Sequence, residues 1–497
     1  MPHVSRRQFL ALSTVSTGSL LLYQCARPTG PVGSSPVDPR SAIASQGGLL
    51  EVNLTATRGT VTVGGRAIDL MSYNGQTPGP RLEAYPGDTV RLRLTNQLGE
   101  PTNLHFHGLH VSPSGHADNI FLNIPDGETF SYEFTIPEDH PGGTFYYHPH
   151  RHGLVGRQVF AGLGGIFVVR GALDQLPEIQ AAKEIFVFLK DIDPSNPLGQ
   201  THPMQAMLGR EGDLVTVNGQ QNPTFTLEAG GLLRLRLVNA SAARFYRLSL
   251  DDHPLYLIAT DGGAIAAPVE LSELLLAPGE RAEVLVKGDR PAGTYRLLNL
   301  PYDRGSMGMM GQGGMGGMGG MGGMGRMGRM GRGPMGQAPA DSPQTLATLT
   351  YAGESASVPL PQQLIPVAAL PEPQQTREFR LHHGMAPGQG MVFLINNRAF
   401  HHDRIDTQVA LNTVEDWDLV NTDPMDHPFH VHTNPFQVIH HNGQPEADLA
   451  WKDTVLVPAR STVRIRTRFD TFTGKSLYHC HILDHEDRGM MATVLAR

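Results

Sequence analysis

The feature that most constrains this chain is a strand block that occurs three times. It reads PGDTVRLRLTN up to Asn96, AGGLLRLRLVN up to Asn239 and TVEDWDLVN up to Asn421. The copies alternate apolar and polar residues, which is typical of strands with one buried face. Three copies of one block indicate three similar domains in series, so the sequence predicts consecutive antiparallel β-sandwiches.

Histidine pairs separated by one residue fall at matching positions of the first and third copies. Nine residues beyond Asn96 and Asn421 stand His105 and His430, and the second member of each pair follows two residues later. A second repeated block adds two more pairs in the same register. The complete set is His105, His107, His148, His150, His430, His432, His479 and His481, and the middle copy has Leu248, Leu250, Leu298 and Leu300 instead.

The spacing within each pair has a direct structural meaning. Strand residues two apart point to the same face, so each pair aims two imidazoles in one direction. A single pair is as easily a surface or core feature, but four matched pairs, absent together from the middle copy, indicate shared chemistry. We therefore predict a metal site that draws on the first and third domains, with the second domain as a spacer.

Length and charge set the organisation. At 497 residues the chain exceeds one hydrophobic core. We predict a leader over 1–45, a first domain over 46–172, a second over 173–350 with an insertion at 307–335, a linker over 351–375 and a third domain over 376–497. Basic and acidic residues number 39 and 47 without a basic stripe, so nucleic acid is not an expected partner. A monomer is expected.

The first residues predict export. Arg6 and Arg7 precede a short apolar stretch, which resembles the twin-arginine signals of bacterial proteins that are exported already folded. The apolar run is too short to span a bilayer, and no other transmembrane candidate is found in the sequence. A periplasmic or other extracytoplasmic location is expected. Whether Cys25 carries a lipid is left open.

The second of the two cysteines predicts a copper site. Cys480 is followed by His485 and Met490, and His427 precedes the third-domain pair in DHPFHVH. One thiolate, two imidazoles and a distant thioether are the ligands of blue copper. Structural zinc takes closed tetrahedral sets and catalytic zinc takes three ligands and a water, and neither requires a methionine.

Eight further imidazoles are too many for one ion, and they suit three coppers. Together with the blue copper, these three store the four electrons that reduce dioxygen to two waters. Cys480 stands between His479 and His481, so a covalent route of one backbone step joins the two predicted sites.

Four motifs then carry a family resemblance: HFHG at 105–108, HPH at 148–150, HPFHVH at 427–432 and HCHILDHEDRGMM at 479–491. The chain resembles the multicopper oxidases of the three-domain, laccase-like kind. The resemblance implies an all-β fold of three consecutive cupredoxin-like Greek-key sandwiches. It implies the type 1 ligands His427, Cys480, His485 and Met490, the type 2 ligands His105 and His430, and the type 3 ligands His107, His148 and His481 on one ion and His150, His432 and His479 on the other.

The same resemblance suggests roles for four other residues. Asp118 and Glu486 are similar in placement to the acidic proton relays of the family, with solvated surface carboxylates as the alternative. Asp423 and Met425 resemble the residues that hold an oxidisable Cu(I) in copper-efflux oxidases. Soft sulfur suits Cu(I) and carboxylate suits Cu(II). Ordinary loop packing is the alternative for this pair.

Dioxygen is the expected acceptor, and either Cu(I) or a small phenol or aromatic amine is the expected donor. A periplasmic copper-storage protein and a non-catalytic cell-envelope scaffold of the same fold are the alternatives, although a scaffold would be expected to have lost ligands. Trp451 and Asp453 are expected to pack the third domain and to hydrogen-bond around the metal site. Histidines outside the motifs, His383 among them, are assigned no metal role.

The segment 307–335 contains more than half of the chain's 19 methionines, set among glycines. It lacks the prolines that a collagen-like helix needs. Two interpretations stay open: a plain flexible linker, or a flap over the type 1 site that collects Cu(I) on thioether sulfur.

Overall fold

The computed structural model of the protein describes residues 42–200, 203–305, 342–386, 388 and 390–497. This part of the chain consists of short strands in six sheets, with four short helices between them. The sheets combine into three sandwiches in series, which confirms the predicted all-β fold. The predicted leader, Cys25 and the methionine-rich segment 307–335 lie outside the described residues.

The first sandwich combines a five-stranded and a four-stranded sheet. Its elements are β1 (Ile43–Ala44), β2 (Leu49–Val63), β3 (Arg66–Tyr73), β4 (Leu82–Ala84), β5 (Thr89–Gln97), β6 (His105–His107), β7 (Thr129–Thr135), β8 (Gly143–His148), α1 (Val155–Phe160) and β9 (Gly165–Val169). The strand orders are β1-β4-β9-β8-β6 and β3-β2-β5-β7.

The second sandwich follows a 3₁₀ turn at Ala172–Gln175. Its elements are α2 (Pro177–Ala181), β10 (Lys183–Ile192), α3 (Pro203–Leu208), β11 (Leu214–Val217), β12 (Thr224–Ala229), β13 (Leu232–Asn239), β14 (Tyr246–Leu250), β15 (Leu255–Thr260), β16 (Gly263–Leu271), β17 (Leu274–Leu276), β18 (Arg281–Lys287), β19 (Thr294–Leu300) and β20 (Gln344–Glu354). The strand orders are β11-β10-β13-β18-β15-β16 and β12-β20-β19-β14-β17.

The third sandwich contains the remaining elements. They are β21 (Gln375–Ala386), β22 (Gly390–Ile395), β23 (Thr407–Val409), β24 (Thr413–Asn421), β25 (His427–Val431), β26 (Phe436–His441), β27 (Gln444–Pro445), β28 (Trp451–Lys452), β29 (Thr454–Val457), β30 (Thr462–Phe469), β31 (Gly474–Cys480), α4 (Leu483–Asp487) and β32 (Met491–Ala496). One sheet runs β22-β21-β24-β30-β26-β27 with β28 beside β26, and the other runs β23-β32-β31-β25-β29.

Each sandwich has its own apolar core between its two sheets. In the first, Leu92 of β5 packs in one cluster with Phe167 of β9. In the third, the rings of Trp417 and Tyr478, from β24 and β31, lie 5.3 Å apart edge to face. Alternation along the strands produces this arrangement, because every second side chain faces the opposite sheet.

The asparagine that ends each repeated block has the same structural role in all three copies. The buried Asn96 side chain donates to Glu100 O at 2.8 Å and Ile124 O at 2.9 Å, and it accepts from Leu98 N. Asn239 and Asn421 make the corresponding bonds in the second and third sandwiches. The side chain therefore closes the turn that leads into the next strand, which explains the constant distance from each asparagine to the histidine or leucine positions.

The middle copy shows what these positions do without histidine. Leu248 and Leu250 of β14 are buried in the core of the second sandwich. Leucine there adds to the apolar core, so this sandwich needs no metal to fill the positions.

The exact domain limits stay predictions. Strand β20 ends at Glu354, which is inside the segment predicted as a linker, and β21 begins at Gln375. Within the described ranges, no helix has the length and apolar character required to cross a membrane.

Candidate metal centre

Two pairs of neighbouring strands hold the repeated histidines opposite each other. Antiparallel β6 and β8 place His105 opposite His148, and β25 and β31 place His430 opposite His479. Directly opposite side chains on one face lie ~5 Å apart. The first and third sandwiches therefore each present a compact block of imidazoles, and all of these imidazoles are buried.

The two blocks meet where the first sandwich contacts the third. The rings of His105 and His432 stack at 3.9 Å, and those of His107 and His430 stack at 3.8 Å. The structure thus brings all eight predicted histidines into one group. The histidine cluster, as we call it, consists of His105, His107, His148, His150, His430, His432, His479 and His481.

Ring nitrogens in this cluster lack ordinary partners. Four buried ring nitrogens of the cluster have no hydrogen-bond partner among the described residues: His105 Nε2, His430 Nε2, His432 Nδ1 and His481 Nδ1. His479 Nε2 lies 3.0 Å from His432 Nε2 and 3.2 Å from His150 Nε2. A buried polar atom without a partner costs ~1–3 kcal/mol, so such a concentration needs an explanation.

Metal ligation supplies that explanation. Several sets of residues have one ligand atom each within 4.8 Å of the others, among them His105, His107 and His148; His105, His430 and His432; and His150, His432 and His479. The donor atoms are imidazole nitrogens, which suit copper and zinc. The residues of the cluster therefore fit bound metal ions.

The charge state of the rings also suits metal binding. Burial lowers the pKa of His148 to about 3 and holds the pKa values of His105, His479 and His481 well below 6.5. Neutral imidazole is the form that binds metals. At neutral pH these histidines are therefore ready to act as ligands without first losing a proton.

Asp118 fixes one ring of the cluster from behind. Its oxygens lie 3.0 and 2.9 Å from His105 Nδ1, and Phe106 N donates to Oδ1 at 2.9 Å. This contact turns His105 Nε2 toward the centre of the cluster. Burial raises the pKa of Asp118 to about 8, although the Phe106 hydrogen bond lowers it and a bound cation would lower it further. Asp118 is therefore buried beside the cluster and is not a surface carboxylate.

Glu486 lies on another side of the cluster. Its Oε2 is 3.2 Å from His479 Nδ1 and its Oε1 is 3.6 Å from His150 Nδ1, but His479 Nδ1 is directed at Cys480 O at 2.9 Å. The Glu486 oxygens make no hydrogen bond to the described residues. Burial raises the pKa of Glu486 well above its usual value, and the charge of Asp487 adds to this shift.

Asp453 differs from these two carboxyls because a cation faces it. Its Oδ1 lies 3.0 Å from His107 Nε2, and Arg281 donates to both of its oxygens. Burial opposes ionisation, but the Arg281 guanidinium outweighs it and holds the pKa of Asp453 well below its usual range. The sequence indicated Asp453 as a hydrogen-bonding residue and did not indicate Arg281.

The predicted thiol ligand lies within one strand step of the cluster. Cys480 Sγ is 3.5 Å from His427 Nδ1 and 3.7 Å from His485 Nδ1, and all three side chains are buried. Three ligand atoms placed trigonally ~2.1 Å from one ion would be ~3.6 Å apart. The thiol site, which we define as Cys480, His427, His485 and Met490, therefore fits a single trigonally bound ion.

Met490 and Phe393 complete the surroundings of the thiol site. Met490 is fully buried, and its carbonyl accepts from Cys480 N at 3.0 Å. Phe393 stacks on the His485 ring at 3.8 Å, while His485 Nε2 lies 3.1 Å from Met207 O of α3. Burial raises the pKa of the Cys480 thiol, so the thiolate requires a metal to form at neutral pH.

The surface side of the thiol site contains His383, a histidine outside the sequence motifs. Asp423 Oδ2 lies 3.0 Å from His427 Nε2, and Asp423 Oδ1 lies 2.7 Å from His383 Nδ1. Asp423 is buried, whereas the His383 side chain is 32% exposed. The alternation of β21 would have indicated His383, because it faces the same side as the buried Leu381.

Met425, the second residue predicted for a substrate ion, is fully buried in the core of the third sandwich. Its carbonyl accepts from the Asn421 side chain at 2.9 Å. The contacts of this residue are those of loop and core packing. A role for Met425 in binding a substrate ion stays a prediction.

Comparison with known proteins agrees with this geometry. Three family models, each described as multicopper oxidase, match residues 55–173, 191–311 and 371–497. A solved structure, a multicopper oxidase from Campylobacter jejuni described as a metallo-oxidase, is 30% identical, with a TM-score of 0.76 over 92% of this chain and 93% of that one. This chain belongs to the multicopper oxidase family. The three sandwiches are thus the cupredoxin-like domains of that family, as predicted.

Two kinds of relative share the family with this chain. Multicopper oxidase mco of Staphylococcus haemolyticus is 27% identical over 85% of this chain and 83% of its own length. Cell division protein FtsP of Dickeya dadantii is 29% identical over 99% of both chains. Family membership implies that this chain binds copper. Its activity has to be argued from its own residues, because both kinds of relative share the fold.

Proposed function

We propose that this protein is an oxidase that removes single electrons from a reducing substrate at the thiol site and delivers four of them to dioxygen at the histidine cluster, forming water. The observation that carries the proposal is the continuity of the two sites. Cys480 belongs to one site, and its chain neighbours His479 and His481 belong to the other. A storage protein would not need this connection.

We keep the ligand sets that the family resemblance implies, and they are supported in part by the contacts of His150, His432 and His479 and of His427, Cys480 and His485. Cys480, His427, His485 and Met490 would hold the type 1 copper. His105 and His430, whose Nε2 atoms have no partner among the described residues, would hold type 2 copper. The remaining cluster histidines would hold the type 3 pair, with His107, His148 and His481 on one ion and His150, His432 and His479 on the other. When bound, copper would supply one-electron redox chemistry at the thiol site and the reduction of oxygen at the cluster.

The polypeptide supplies the electron path and carboxyls that can pass protons from solvent to the cluster. Electrons that enter at the thiol site reach the cluster through Cys480 and the adjoining backbone. Glu486, with no hydrogen bond to its oxygens in the described residues, can hold a proton next to His150 and His479. Asp118 can do the same at His105 Nδ1. These two carboxyls are our candidates for the proton relays, because in the described part of the chain neither faces a guanidinium as Asp453 does.

Cu(I) is the donor that the surroundings of the thiol site favour. His383 and Asp423 lead from the surface to His427 through two short contacts. Met385, on the same face of β21 as His383, is 76% exposed and pairs across the hairpin with Met391. Thioether and imidazole suit Cu(I), and carboxylate suits the Cu(II) that forms. The C. jejuni relative is itself described as a metallo-oxidase.

The second candidate function is a role in cell division without oxidase chemistry. The full-length match to Cell division protein FtsP favours it. The complete donor set favours the oxidase, because eleven buried His and Cys side chains, four of whose ring nitrogens have no partner among the described residues, are costly to keep without metal. We further propose that the protein is exported by the twin-arginine route to the periplasm, where either function would act.

Oxygen uptake tests the proposal. Copper-loaded protein is supplied with Cu(I) or with a bulky phenol, and the intact chain is compared with one that lacks 307–335. We expect oxygen uptake with Cu(I), and on deletion we expect phenol oxidation to rise and Cu(I) oxidation to fall. Absence of uptake with either donor would refute the oxidase and leave the cell-division role.

A further inference from the structure

The middle sandwich provides no ligand, yet one of its turns lies against the histidine cluster. This turn, residues 278–281, connects β17 to β18 and reads PGER. Arg281, at its end, is completely buried. The turn lies in APGERAEVLVKG, the middle copy of the second repeated block, whose other copies are PDGETFSYEFTI and PARSTVRIRTRF. Its position therefore follows from the register of the repeat.

Arg281 reaches across to the third sandwich and holds Asp453 with two hydrogen bonds. Nη1 donates to Oδ1 at 2.7 Å and Nη2 donates to Oδ2 at 2.5 Å. Such a bidentate pair fixes the plane of the carboxylate. Asp453 Oδ1 in turn lies 3.0 Å from His107 Nε2, and Asp453 O lies 2.8 Å from His430 Nδ1. One residue thus holds a ring from the first sandwich and a ring from the third.

All five N–H groups of the Arg281 guanidinium are used. Besides Asp453, Nε donates to Thr144 O at 3.1 Å, Nη1 to Gly279 O at 3.0 Å and Nη2 to Asp261 O at 3.0 Å. Lysine has three donors on a flexible stem and cannot reproduce this arrangement. Arg281 is therefore hydrogen-bonded to residues of all three sandwiches.

Two glycines are needed for the close approach of this turn to the cluster. A Cβ on Gly279 would lie 2.8–2.9 Å from three atoms of the His481 ring. A Cβ on Gly108, the last residue of HFHG, would overlap Arg281 Nη2 and lie 2.5 Å from Asp453 Oδ2. Both glycines also have positive φ, at +86° and +87°. The absence of side chains at these positions is what allows the contact.

Among the neighbouring carboxylates, Asp453 makes the shortest side-chain contact with the Arg281 guanidinium. Asp261 and Glu280 also lie close by, but Lys452 Nζ is 3.0 Å from Asp261 Oδ2 and 3.2 Å from Glu280 Oε1. Lys452 thus pairs with both of the other carboxylates, and Arg281 Nη1 lies farther from Asp261 Oδ1, at 3.7 Å. Arg281 is left as the cation that faces Asp453.

We propose that Arg281 is a positioning residue for the histidine cluster: by holding Asp453, it sets the orientation of His107 and His430 and so controls copper binding there. The inference rests on the proposed function only in taking the cluster as a copper site. It corrects the sequence interpretation of the middle domain as a spacer. The middle domain supplies a support that the first and third domains share.

The test compares Arg281→Gln and Arg281→Lys with Arg236→Gln in copper-loaded, full-length protein. Arg236 is a matched control, because it too is fully buried, ion-paired to Glu283 and bonded to Thr144, but it contacts no cluster histidine. Copper per chain, the blue absorption of the thiol site and the electron paramagnetic resonance spectrum of the type 2 copper are measured.

We expect both Arg281 variants to lose copper from the cluster, or to show a changed type 2 spectrum, while the blue absorption persists. The control should retain the wild-type copper content and spectrum even where its melting temperature falls. Arg281 variants with wild-type copper content and an unchanged type 2 spectrum would overturn the inference. Wild-type protein that binds no copper would overturn both the inference and the proposed function. The copper content of the wild type therefore distinguishes failure of the inference alone from failure of both.

The double variant Arg281→Gln with Asp453→Asn tests whether the copper defect of Arg281→Gln arises only because Asp453 is left as an unpaired buried charge. Breaking a buried pair on one side is destabilising, whereas removing both charges is far less so. The double variant should therefore melt closer to the wild type than Arg281→Gln does, while the copper defect remains. Recovery of the full copper content and the wild-type spectrum in the double variant would refute a positioning role.

Discussion

His383 Nδ1 lies 2.7 Å from Asp423 Oδ1, and this contact joins a partly exposed imidazole to the thiol site. The other oxygen of Asp423 lies 3.0 Å from His427 Nε2. Burial raises the pKa of Asp423, but the hydrogen bond from His427 and the nearby His383 outweigh it and lower the pKa below its usual value. The carboxylate is therefore charged and points one oxygen at each ring.

Removing His383 should impair oxidation of Cu(I) more than oxidation of a phenol. His383→Ala removes the hydrogen-bond partner of Asp423 and a nitrogen ligand near the surface. Loss of such a partner typically lowers metal affinity or activity by ~10–100-fold. The measurement is kcat/KM for both donors. His382→Ala, on the opposite face of the same strand, is the control. Equal effects of the two substitutions on Cu(I) oxidation would contradict the assignment.

Replacing Asp118 should slow the reduction of oxygen and leave the donor reaction intact. Asp118→Asn keeps the shape beside His105 but removes the group that we propose holds a proton, so reoxidation of the reduced enzyme should slow by ~10–100-fold. Rapid-mixing absorbance follows both half-reactions. Asp126→Asn, at an exposed carboxylate that accepts from Gly99 N, is the control. Slower anaerobic bleaching of the blue absorption would instead assign Asp118 to the donor side.

Adding one methyl group at Gly108 should release copper. Gly108→Ala places a Cβ against Arg281 and Asp453 and imposes a residue with a side chain at φ +87°. Gly99→Ala carries a similar backbone cost, of ~1 kcal/mol, at φ +77°, and no described residue other than its chain neighbours lies within 4 Å of the new Cβ. Copper content per chain should fall for Gly108→Ala and remain unchanged for Gly99→Ala. The same copper content in both would show that the HFHG glycine serves only the backbone turn.

Lys190 should make stability depend on pH. Its Nζ is buried without a partner in the described residues, and burial lowers its pKa to about 8, partly opposed by Asp191. Because the folded pKa lies below the unfolded one, the charge destabilises the fold fully below pH ~8, and the penalty disappears as the pH rises toward ~10.4.

Lys190→Met should therefore raise the free energy of unfolding by ~1–3 kcal/mol at pH 7 and by much less at pH 10. Denaturant unfolding at the two pH values measures the difference, with Lys287→Met at a partly exposed salt bridge as the control. A gain that is the same at both pH values would mean that packing, rather than charge, limits stability at this position.

The repeat made the fold and the histidine cluster predictable. The side chains of Asn96 and Asn421 close equivalent turns, so the histidines follow each asparagine at the same sequence distance. That constant spacing made the histidine positions predictable. Contacts between sandwiches were not predictable in this way. The contacts of Arg281 with Asp453 and of His383 with Asp423 form when segments far apart in the chain pack together. No spacing in the sequence encodes such contacts.

The most direct test of the central claim counts electrons per oxygen molecule. A known amount of ligand-stabilised Cu(I) is given to the copper-loaded protein, and oxygen consumed and peroxide formed are measured together, with Cys480→Ser as the control for uncatalysed oxidation. The proposed function predicts about four Cu(I) oxidised per dioxygen with no peroxide, and none above background in the variant. Two Cu(I) per dioxygen with peroxide released, or the same rate in the variant, would contradict it.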